Sequence, residues 1–95
     1  MNIRDFSNGF EKPVATKKIL RDNASTTLVE IGQDAILKDH QSMTEALLIL
    51  ISGSVTYEEE ARQVQLDSAM DFVQIPAHKT HRVKGVQDSM LLLIQ

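Results

Sequence analysis

The chain has 95 residues, of which 42% are apolar, with a formal net charge of −3 and no cysteine. That length suits one domain, and a chain this short buries only roughly 60–65% of its unfolded surface, so a second subunit would add useful burial. Without cysteine there is no disulfide framework, thiolate nucleophile or Cys-rich zinc site, and with no stripe of Lys and Arg the chain is not expected to bind nucleic acid.

Residues 1–14 read as an arm, broken by Asn8-Gly9 and Pro13, and residues 15–95 as the folded body. The arm carries no apolar leader, and the longest purely apolar run, residues 46–51, is too short to span a bilayer. The expectation is a cytoplasmic protein with no membrane partner. A first strand over 16–21 ends at the turn pair Asp22-Asn23. Thr26–Ile31 alternates Thr27, Val29 and Ile31 with Thr26, Leu28 and Glu30, and then meets Gly32. Residues 35–38 form a short extended piece leading into Asp39-His40-Gln41-Ser42.

Ala46–Ser52 is the most apolar segment. Leu and Ala favour helix there, but the unbroken run, Gly53 and the period-2 neighbours argue for a strand buried on both faces. Val55 and Tyr57 alternate with Thr56 and Glu58, and Arg62–Leu66 alternates Val64 and Leu66 with Gln63 and Gln65. The turn between them, Glu58-Glu59-Glu60-Ala61, reads as a solvated hairpin tip, where like charges repel little. Strands over 71–75, 81–86 and 90–94 complete the chain. Many short strands at regular spacing argue an all-β sandwich or barrel in a single domain.

The three histidines, His40, His78 and His81, lie at strand edges. Side chains alternate between the two faces of a strand, so parity sorts the candidates. If His40 points in, Ser42 follows, and Ala46 and Leu48 continue that face. If His81 points in, so does Val83, while Arg82 and Lys84 face out. The expected pocket is lined by His40, Ser42, Ala46, Leu48, His81 and Val83: apolar walls with two imidazoles and a hydroxyl, suited to a small molecule. No G-x-S-x-G turn supports a Ser–His nucleophile, and the four isolated glycines form no phosphate cradle. Met43, Met70 and Met90 read as core filler, and Asp71 as a residue bonding local backbone.

These segments resemble the cupin family. Its first motif, G(x)5HxH(x)3–4E(x)6G, ends on Gly53 and places its first His on His40, its second on Ser42 and its Glu on Ala46. Its second motif, G(x)5PxG(x)2H(x)3N, matches at Pro76 and His81. Met70 and His78 replace its glycines, and Gly85 its Asn. The resemblance implies a two-sheet jelly-roll barrel (a double-stranded β-helix) with two of the four metal ligands replaced. Glu45 does not restore the lost carboxylate, because one step along a strand turns a side chain to the other face.

Three readings follow. The first is a metal-free pocket for a small molecule. The second is a divalent metal (Zn, Fe, Ni or Cu) on His40 and His81, aided by His78, serving an oxygenase or isomerase. The third is a non-catalytic dimerising domain using Leu47, Ile49 and Ile51. A homodimer is expected, as barrels of this family commonly pair. Fold alone does not choose among the readings, so the site must.

Overall fold

The computed structural model describes residues 1–20 and 25–95, and the backbone alone at Asp39 and His40. The expected Asp22-Asn23 turn lies outside the described residues. Among the described residues a 3-10 turn (η1, Ile3–Phe6) precedes nine strands: β1 (Val14–Leu20), β2 (Thr26–Ile31), β3 (Ile36–His40), β4 (Ala46–Ser52), β5 (Val55–Glu59), β6 (Arg62–Leu66), β7 (Phe72–Ile75), β8 (His81–Gly85) and β9 (Ser89–Ile94). No helix among the described residues is long and apolar enough to cross a membrane.

The strands form two antiparallel sheets, ordered β1-β2-β9-β4-β7 and β3-β8-β5-β6. Chain neighbours such as β2 and β3 sit in different sheets, the jelly-roll arrangement. Alternation decides what lies between the sheets. Val29, Ile31, Leu48, Leu50, Val55, Tyr57, Leu66, Val73, Ile75, Val83 and Leu91 all point inward and form one buried cluster. The competing helix over residues 43–51 does not form, because β4 is flanked by β9 and β7 and every second residue is buried. Its outer residues Leu47, Ile49 and Ile51 are only half-buried, which corrects the expectation of burial on both faces.

One end of the barrel is closed by backbone. A Cβ on Gly85 would lie 2.3 Å from the Gly32 carbonyl oxygen, and one on Gly53, where φ is +96°, 2.4 Å from Ser89 Oγ. Ser89 Oγ accepts from Ser54 N at 2.9 Å and lies 2.7 Å from the Gln87 carbonyl, to which it donates. The arm folds back over the outer face of β1 and β2. There Glu30, 2% exposed, accepts from Ser7 Oγ at 2.7 Å and Asn8 N at 2.6 Å, so its buried charge is satisfied.

Candidate functional site

β8 runs from the closed end at Gly85 to the opposite end at His81, where His81 pairs with Glu59 of β5. At this mouth the interior changes from apolar to charged. The alternation that turns Val55 and Tyr57 inward also turns Glu59 inward, and its side chain is 8% exposed. Tyr57, fully buried, donates its hydroxyl to Glu59 Oε2. Arg62, the first residue of β6, donates from Nη2 to the same Oε2 at 2.8 Å and to the Gln74 carbonyl at 2.5 Å. Its guanidinium carbon lies 5.5 Å from the Tyr57 ring centroid. Arg62 therefore ties β5 of one sheet to β7, an edge strand of the other, across the mouth.

The electrostatics follow from these contacts. The Arg62 hydrogen bond, aided by that of Tyr57, holds the Glu59 carboxyl below the usual range against the opposing effect of burial. Burial, and then the Glu59 carboxylate, push the Tyr57 phenol well above its ordinary value. Arg62 is raised by its bond to Glu59. The His81 ring centroid is 5.6 Å from that of Tyr57, with a 31° tilt. His81 Nδ1 lies 3.1 Å from the Lys79 carbonyl oxygen. A carbonyl only accepts, so in this contact Nδ1 carries the proton.

His81 is buried and inward, and Arg82 and Lys84 are exposed. Ala46, Leu48 and Val83 also face inward. At 4, 3 and 1% exposure they form a packed floor beneath the mouth and contribute little open wall. Ser42 lies beyond the end of β3, where strand parity does not reach, and its carbonyl accepts from His78 N at 2.8 Å. His40 is the last residue of β3 and the register partner of His81, and its side chain lies outside the described residues. His78 is exposed on the loop before β8. Among the described residues no three His, Asp or Glu side chains are arranged to hold a metal ion.

Two expectations are corrected. Glu59 is not part of a solvated tip: the turn is Glu60-Ala61, and the strand carries Glu59 into the interior. Met43 and Met70 are exposed, because both fall in connections outside the strands; only Met90 is buried. Asp71 does bond local backbone, accepting from Asp67 N and Ser68 N at 3.0 Å. Glu45 is exposed and accepts from Gln74 Nε2, away from the mouth's interior. Tyr57, Glu59 and Arg62 were absent from the expected pocket, although extending the Val55–Tyr57 alternation by one step points to Glu59.

The backbone keeps what the side chains have lost. Counted along the two motifs, the cupin glycines fall on positions 34, 53, 70 and 78. Here Asp34, Gly53, Met70 and His78 have φ of 66°, 96°, 80° and 63°, the left-handed region that favours glycine. Three of those glycines are gone while the turns they permit remain.

Grooves flank the mouth. One of about 480 Å3 is lined by Glu58, Glu59, Glu60, Thr80, His81 and Arg82, and one of about 420 Å3 by Glu45, Arg62, Gln74, Pro76 and Ala77. A larger hollow of about 680 Å3 lies outside the barrel, between the arm and β1–β2. Its buried carboxylate, Glu30, is already held by the arm, so size there reflects how the arm is seated rather than an open site.

No protein-family model and no curated protein matches the chain. Among solved structures, a cupin superfamily protein from Desulfitobacterium hafniense DCB-2 aligns with a TM-score of 0.88 at 17% identity, over 100% of this chain and 87% of that one. A cupin-2 domain containing protein from Shewanella frigidimarina NCIMB 400 gives 0.82 at 18% identity, over 100% and 92%. An RmlC-like cupin from the same organism gives 0.77 at 12% identity, over 86% and 74%. With its sheet order, its left-handed turns and these neighbours, the chain has the cupin fold.

Proposed function

We propose that this chain binds a small molecule at the barrel mouth, its polar end held by Glu59, Arg62 and His81, with His40 and Ser42 at the rim. The observation that carries this is the buried Tyr57–Glu59–Arg62 set beside His81, opening onto grooves above the floor of Ala46, Leu48 and Val83. Convergent polar groups over an apolar floor are the usual makings of a small-ligand site. The cupin metal set does not fit as it stands. Ala46 has no donor atom, and Ser42 replaces an imidazole with a hydroxyl.

The test is a thermal-shift screen of small carboxylates, polyols and amines, followed by calorimetry on Glu59→Gln and His81→Ala. A ligand present at about 100 times its Kd adds roughly 2.7 kcal/mol to stability, a readily measured rise in Tm. Affinity should fall at least tenfold in both variants. A ligand that binds both variants as tightly as the parent chain sinks the reading.

A second reading rests on a separate observation. Phe72, Ile49 and Leu92 are successive register partners on the outer face of the five-stranded sheet, beyond the part the arm covers, and Phe72 is 61% exposed. The outer face of the other sheet carries Thr56, Gln65, Arg82 and Lys84 instead. We propose that a second copy covers the apolar face, as apolar patches of this kind mark interaction surfaces. Sedimentation equilibrium should show a dimer that Ile49→Lys converts to monomer. A parent chain that is monomeric at high micromolar concentration removes the idea.

A further inference from the structure

Two features of the arm stand apart from the mouth: the Asn8-Gly9 pair, and the buried carboxylate of Glu30 beneath it. Ser7 Oγ donates to Glu30 Oε2 at 2.7 Å, and Asn8 N to Oε1 at 2.6 Å. At the far end of the arm the Pro13 carbonyl accepts from Gly32 N at 2.8 Å. Between these anchors the chain turns through Gly9 and Phe10, at φ of 66° and 59°. Phe10 is a bulky residue in the left-handed region, so the turn is strained and keeps its shape only while both ends are held.

Glycine lacks a side chain, which leaves its backbone nitrogen open to approach the carboxamide of a preceding asparagine. Gly9 N attacks Asn8 Cγ. The new N–C bond forms, the Cγ–Nδ2 bond breaks, and ammonia leaves with the proton from Gly9 N. Water then opens the cyclic imide at either carbonyl and gives aspartate or isoaspartate at position 8. Gly9 is exposed, and the Asn8 carboxamide has no hydrogen-bond partner among the described residues, so both water and the electrophile are available. The seated arm opposes the attack: Gly9 N–H donates to Ser7 Oγ at 3.0 Å, and Ser7 is itself tied to Glu30.

We propose that Asn8-Gly9 is a site of spontaneous deamidation, slow while the arm is seated, whose product releases the arm from Glu30. Either product carries a new anion on the residue whose own N–H bonds the buried carboxylate. The charged groups lining that hollow are Asp5 and Glu30 against Lys12 and Lys17, two acids and two bases, so the added charge has no counterpart. Isoaspartate also adds a methylene to the main chain. It turns the Asn8 carbonyl, which accepts from Glu11 N at 3.3 Å, into a pendant carboxylate. The change is irreversible, so a released arm marks the age of the molecule. Leu28, 1% exposed in the same hollow, is uncovered with it.

The full chain is incubated in warm neutral buffer, folded or in urea, and conversion at position 8 is followed by mass spectrometry. Folded chain should convert about tenfold more slowly than unfolded chain, since attack waits for the arm to open. Glu30→Ala should bring the folded rate close to the unfolded one, with far-UV circular dichroism unchanged. If Glu30→Ala does not fold, Ser7→Ala replaces it, because it removes both a bond to Glu30 and the acceptor of Gly9 N. Release is read by tryptic cleavage after Arg4, which lies in η1. Deamidated chain and Asn8→Asp should be cut about tenfold faster than the parent, and Asn8→Gln at the parent rate. No conversion in urea overturns the proposal, as does equal conversion in the folded parent and the arm variant, or cleavage of deamidated chain at the parent rate.

Discussion

At the closed end of the barrel, main chain presses on main chain: Gly85 passes so near Gly32 that a single methyl has no room, and Ser89 Oγ bridges two backbone groups. At the mouth, the contacts run between side chains: phenol to carboxylate, carboxylate to guanidinium. Arg62 and His81 also touch backbone there, at the Gln74 and Lys79 carbonyls. Backbone contacts cannot be exchanged without moving strands, whereas side-chain contacts can be remade with a ligand. Stability and binding should therefore respond at opposite ends.

The sharpest way to break this contrast is Gly85→Ala. The new methyl meets a carbonyl oxygen and Ile31 Cγ2, neither of which yields without shifting β2, so about 3 kcal/mol should be lost. For a domain of this size that lowers Tm by roughly 15 °C in a calorimetric scan. Glu59→Gln should cost clearly less. Equal losses at the two ends would dissolve the distinction.

Ser89→Ala comes next. It strips Ser54 N of its acceptor in a buried place, at a cost of about 2 kcal/mol, read by urea unfolding with an unchanged slope.

The mouth has a pH signature of its own. Tyr57 is the only tyrosine, and there is no tryptophan, so phenolate absorbance reports this residue alone. Its pKa is raised in the fold, so its contribution is fully present below the unfolded value of 10.0. Above that the unfolded chain ionises and the folded one does not, so stability falls as pH rises. Phenolate should appear only well above pH 10, together with unfolding, and Tyr57→Phe should remove this part of the alkaline loss. Ionisation near pH 10 in folded protein would mean the phenol is not shielded as described.

The smallest effects are gains. Met70→Gly and His78→Gly relieve left-handed backbone and should each stabilise by about 1 kcal/mol, apart from the entropy glycine itself costs. Losses in their place would show that these side chains make contacts the turns depend on.

The bounds of β2, β4 and β6 were legible because their signals are local: period-2 alternation in β2 and β6, and in β4 an unbroken apolar run stopped by Gly53. The imidazole of His81 was legible for the same reason, its parity being tied to Val83. Tyr57, Glu59 and Arg62 were not, because three consecutive glutamates look solvated until the hairpin turn is known to be two residues long. Arg62 leads an edge strand, and its reach to Gln74 depends on how the sheets meet, which no local pattern encodes. The left-handed turns at Met70 and His78 were legible only through the motif count that sets both on glycine positions, since a methionine by itself does not signal positive φ.

The place of β9 bears on how this chain is made. Residues 89–94 lie between β2 and β4, in the middle of the five-stranded sheet, so β2 and β4 have no common partner until that segment has been synthesised. Up to then the apolar strand at residues 46–52 has one flank open, exposed to other nascent chains. Folding of this sheet thus waits for residues 89–94 and depends on pairing residues some sixty positions apart, the kind of long-range closure that makes β-rich domains slow to fold.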